Sequence, residues 1–100
     1  MTGAELEALL LGLLRLWQVE GRVRTVHEGD KITAAVECGR ASMLRVMWQR
    51  APFGIVWQVQ PDGGRLRTYP SVIGLIRDLR SRLAPARDAG RVLFVKGEGE

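Results

Sequence analysis

Few residues in this chain have reactive side chains. His27 is the only imidazole, and it stands beside Glu28 and Asp30 in a turn-forming stretch. A His flanked by two acids is the minimum for a metal site or a general base. That chemistry needs a second His or a usable Cys, and the chain offers neither, so His27 reads as an exposed turn residue. Cys38 is the only thiol. A lone Cys excludes an intramolecular disulfide framework and a Cys-based zinc site. Cys38 falls on an expected inward strand position with no base placed to hold a thiolate, so it reads as a small hydrophobe.

Gly29-Asp30-Lys31 and Asp62-Gly63-Gly64 carry the glycines of a phosphate loop. Neither leads from a strand into a helix N-terminus, where a phosphate would meet backbone N–H groups. Both read as hairpin turns. The expectation is therefore no catalytic residue, no metal and no cofactor, and a protein that is not an enzyme.

What the chain has in quantity is arginine. Fifteen bases stand against eleven acids in 100 residues, for a net charge of +4. Thirteen of the bases are Arg, leaving only Lys31 and Lys96. From Arg65 to Arg91 seven Arg meet only Asp78 and Asp88, a local +5. Residues 15–50 hold seven bases and four acids, a local +3. A basic surface attracts phosphate, an acidic protein or anionic lipid.

Hydrophobic residues make up 46% and charged residues 26%, which fits a globular chain and excludes disorder or collagen. The length suits one α+β domain over residues 1–100, with 96–100 as a frayed tail. No secretory signal is evident: Glu5 and Glu7 precede the apolar stretch where a signal peptide wants bases. The stretch Leu6 to Trp17 is broken by Arg15 and too short to span a bilayer. A cytoplasmic location without membrane association is expected.

The elements that position the arginines follow from periodicity. Thr2 and Glu5 form a capping box. Leu6, Leu9, Leu10, Leu13, Leu14 and Trp17 then lie on one helical face, to about Gln18, with a stop at Gly21. Leu11 and Leu16 lie off that face and suggest contact with a partner. Residues 22–27, 31–38, 42–49, 53–60 and 65–69 read as five strands with tight turns, an antiparallel meander. The first does not alternate cleanly, as an edge or bulged strand would not. The apolar pattern pairs Cys38 with Ser42, Trp48 with Phe53, and Gln60 with Arg65. A second helix opens at Pro70-Ser71, carries Val72, Ile76, Leu79 and Leu83 inward, and ends at Pro85. Arg91 to Val95 reads as a short last strand. Both helices are expected on one sheet face.

That register assigns the opposite face to Met43, Arg45, Met47, Val56, Gln58, Gln60, Arg65, Arg67 and Tyr69. Interfaces enrich Arg, Met and Tyr. Arg77 and Arg80, with Arg82 and Arg87, give the second helix a basic side that Asp78 relieves little. The residues expected to bind a partner are Arg45, Arg65, Arg67, Tyr69, Met43, Met47, Arg77 and Arg80. Replacing Arg45 and Arg67 together by Glu is expected to abolish binding and spare stability. A solvated face, with Arg stems covering the sheet, explains the same composition without a partner.

The helix–meander–helix order resembles small secretion chaperones and other α+β dimers that clasp a partner, although those chaperones are commonly acidic. Trp57 to Leu83, strand–Asp-Gly-Gly–strand–Tyr-Pro-Ser–helix, is similar in style to short accessory proteins of phages and plasmids. These likenesses imply a non-catalytic protein that occupies a surface of a protein or nucleoprotein partner, such as a phage- or mobile-element-encoded inhibitor or adaptor. The alternative is direct nucleic-acid binding by the basic sheet face and Arg-rich helix. Self-association through Leu11, Leu16 or an open sheet edge is a third expectation.

Overall fold

A computed structural model describes residues 1–38 and 42–84. The order is helix α1 (Gly3–Leu16), strands β1 (Gly21–Glu28), β2 (Lys31–Cys38), β3 (Ser42–Ala51), β4 (Gly54–Pro61) and β5 (Arg67–Tyr69), then helix α2 (Val72–Leu83). The strands pair antiparallel in sequence order, β1-β2-β3-β4-β5. The expected α+β plan holds. The expected strand at 91–95 and the tail at 96–100 lie outside the described residues.

α1 begins where the capping box closes. The Glu5 amide donates to Thr2 Oγ1, and the Thr2 amide donates to Glu5 Oε1. It ends earlier than Gly21. Gln18 takes a left-handed conformation at φ 58°, and the Val19 amide reaches back to the Leu14 carbonyl. The Gln18 amide donates to the Arg15 carbonyl, which completes a Schellman motif without its usual glycine. Gly21 serves a different end. A Cβ there would stand 2.8 Å from the Glu37 carbonyl oxygen and 2.9 Å from Cys38 Sγ. Only glycine lets β1 start so close beneath α1 and beside β2.

The core lies between the sheet and the two helices. Leu6, Leu10, Leu14 and Trp17 of the α1 segment pack with Ile32, Ala34, Val36, Val46, Trp48, Trp57 and Val59 of the sheet and with Leu75 and Leu79 of α2. Leu9 and Leu13 are half-buried at the margin of the same cluster. Burial pushes the Cys38 thiol above its usual range, consistent with a packed hydrophobe. In α2 the stripe centres on Leu75 and Leu79, and Ile73 is mostly exposed. No described helix is long and apolar enough to cross a membrane.

The strand pairings correct two expected registers. Cys38 does face Ser42, and Ile32 faces Trp48. Trp48, however, faces Trp57 and not Phe53. The strands run on to Ala51 and Gly54, and Pro52-Phe53 forms a two-residue loop. That shift is even, so each side chain keeps its face. Phe53 is the exception: it sits at the loop, 82% exposed. The second correction is larger in effect. Val59 faces Arg67 and Trp57 faces Tyr69, where Val59 was expected to face Leu66. This slip of one residue turns β5 over.

Candidate binding face of the sheet

The face turned away from the helices is built from alternate residues of every strand. Three rows cross it in register. The first is Arg22–Glu37–Met43. The second is Arg24–Ala35–Arg45–Gln60. The third is Val26–Thr33–Met47–Gln58–Thr68. Glu28, Lys31, Gln49 and Val56 follow beyond them.

Met43, Arg45 and Met47 therefore share this face, as expected. Arg45 is exposed and Met43 half-buried. Met47 is only 6% exposed although neither helix covers it. Thr33 and Gln58 stand beside it in the row, and it stands apart from the helix-side core. Gln58 Nε2 donates to Thr68 Oγ1 and Gln60 Nε2 to the Gly64 carbonyl, each at 3.4 Å. At the end of the face, Met43, Arg45, Gln60 and the turn 61–64 line a shallow recess of about 80 Å³. The Asp62 amide holds that turn against the Met43 carbonyl at 2.9 Å.

Arg67 and Tyr69 do not belong to this surface. The slipped register sets both on the helix side, opposite Val59 and Trp57. Tyr69 is half-buried against the core, and its hydroxyl donates to Asp78 of α2. Ionising that hydroxyl would strip the proton it donates and set two negative charges together, so its pKa is raised. Asp78 also accepts from Arg82 Nε at 2.6 Å. Asp78 thus pairs with Arg82 of its own helix, and it ties β5 to α2. Arg65 is exposed in the segment before β5. Arg77 is exposed on α2 and Arg80 half-buried, on the helix side of the sheet. The double replacement of Arg45 and Arg67 would alter two opposite faces and test neither alone.

Sequence reasoning also missed part of the surface. Arg22, Arg24 and Val26 of β1 belong to it, and Val26 is 58% exposed. Their alternation with Val23 and Thr25 was the available signal, obscured by two apolar residues that point to opposite faces. Leu16 is 72% exposed at the end of α1, whereas Leu11 is half-buried against the core. Among the described residues no three His, Cys, Asp or Glu side chains stand together as a metal site would need. His27 is exposed, with Nε2 3.0 Å from the Gly29 carbonyl. No family model matches the chain, and no match is found among curated proteins or solved structures.

Proposed function

We propose that this chain is a non-catalytic binding protein that occupies a surface of a protein partner, free or in a nucleoprotein assembly, through the outer face of its sheet. The supporting observation is the row through Met47. Met47, buried although neither helix covers it, shares its row with Val26, Thr33 and Gln58 and is bordered by Arg24 and Arg45. An apolar centre within a charged rim is how protein interfaces are organised. Four bases against two acids on the strands of this face favour an acidic partner surface. A small inhibitor or adaptor of phage or mobile-element origin fits this plan.

Nucleic-acid binding is the second reading, favoured by the same bases. Against it, the outer strand positions carry no aromatic among the described residues, and single-strand platforms stack bases on aromatics. Two experiments separate the readings. In affinity capture, Arg45→Glu loses the partner that wild type retains, while Arg67→Glu keeps it. Loss with Arg67→Glu alone would move the site to the helix side. In anisotropy with labelled single-stranded DNA, duplex DNA and RNA, wild type shows no tight binding at near-physiological salt. Sub-micromolar binding that survives such salt would make nucleic acid the partner.

A further inference from the structure

The sheet has two unlike edges. β5 presents three residues, but β1 presents eight, Gly21–Glu28, without a proline. Along a strand, successive residues turn their N–H and C=O groups to opposite sides. The two-residue loop Gly29-Asp30 closes on the Glu28–Lys31 pair. Arg22, Arg24, Val26 and Glu28 therefore bond to β2, while Gly21, Val23, Thr25 and His27 point their backbone groups outward. Among the described residues no strand pairs with this edge, and an open edge of this length is a template for another strand.

We infer that β1 pairs with β1 of a second copy of the chain, antiparallel about a two-fold axis through Thr25. Thr25 then faces Thr25 of the second copy, Val23 faces its His27, and Arg22 faces its Glu28. Of the four outward residues of each strand, Val23, Thr25 and His27 find partners, giving roughly six hydrogen bonds across the junction. Both copies keep their helices on the same side of one continuous sheet.

Charge and length of overlap together select this register. Within one chain, Glu28 already faces Lys31 and Arg22 already faces Glu37 on the outer face. Joining the copies extends these pairs into the row Lys31–Glu28–Arg22–Glu37, which alternates in sign across the junction. Symmetry makes the row twice. A slide by two residues one way sets Arg24 against Arg24. The opposite slide sets Arg24 against Glu28, but it shortens the overlap and leaves Arg22 outside it. Like charges opposite each other destabilise a strand pair, and opposite charges support it. This association goes beyond the binding role above and does not depend on it.

The test is sedimentation equilibrium over low to high micromolar protein, with circular dichroism to confirm folding. Wild type sediments at twice the chain mass of 11.1 kDa. Glu28→Arg alone and Arg22→Glu alone each set two like-charged pairs at the junction, and each weakens dimerisation about tenfold or more. Mixed in equal amounts, these two variants form a heterodimer, because every junction pair is then of opposite charge. If a variant folds poorly, Thr25→Cys in a Cys38→Ala background supplies a second readout. Its two thiols face each other on the axis and form an intermolecular disulfide under mild oxidation. A monomeric wild type overturns the proposal, as does a mixture that stays monomeric. So does dissociation by Leu16→Glu with none by Glu28→Arg, which would place the contact on α1.

Discussion

On the helix side of the sheet, Ile32, Ala34, Val36, Val46 and Val59 are each no more than 1% exposed. On the far side, the residues between them include Thr33, Arg45, Met47 and Gln58, and only Met47 is buried. The same strands thus supply two surfaces by alternation. One is closed by the two helices, and on the other neither helix packs. Burial on the first side measures folding. Burial of Met47 on the second side owes nothing to either helix.

The sharpest way to break this comparison is a pair of truncations. Ile32→Ala removes a side chain enclosed by sheet and helix, and it should cost about 2–5 kcal/mol in urea unfolding. Met47→Ala should cost less, about 1–2 kcal/mol, because neither helix packs on it and its surroundings can relax. Equal costs would mean that the outer face is covered too. Gly21→Ala comes next. The added methyl meets the Glu37 carbonyl, Cys38 Sγ and Leu14 on the helix side, so a loss of about 1–3 kcal/mol is expected.

Tyr69→Phe tests whether β5 belongs to the closed side. Removing the hydroxyl should cost about 1 kcal/mol at neutral pH. Its raised pKa also fixes the sign of a pH effect. That stability is fully present below pH ~10, where the unfolded phenol is protonated, and it is lost as pH rises through the higher folded value. The gap in melting temperature between wild type and Tyr69→Phe should therefore narrow above about pH 10. A gap independent of pH would place the hydroxyl away from Asp78. The smallest effect belongs to Arg45→Glu, which should change stability by less than about 0.5 kcal/mol while removing the partner.

The two corrected registers show what alternation can and cannot specify. β2 and β3 each carry several inward apolar residues, so one pairing satisfies all of them, and Ile32–Trp48 is legible. Between β3 and β4, several even shifts satisfy the pattern equally, and the loop length decides. Pro52-Phe53 closes the tighter loop. β5 has only two paired inward positions, and they hold Arg67 and Tyr69. Leu66 was the apolar marker, but it precedes the strand and is 44% exposed. Tertiary contacts fix β5 instead. Tyr69 packs near Gly74 and bonds to Asp78, both on the helix that follows it. Nothing in a local pattern announces such a contact. The face that carries Met43, Arg45 and Met47 was legible because it depends on β3 alone. Its extension to β1 and its separation from Tyr69 were not.

The strict sequence order of the strands has a consequence for how the chain reaches this state. Every strand pairs only with its neighbours in the chain, and α1 finds its partners in the two strands that follow it. Loops closed in this way are short, and their entropic cost is small. The sheet can therefore grow hairpin by hairpin as the polypeptide emerges, without waiting for its far end. Low contact order of this kind favours fast folding. It also makes β1 an early element to form.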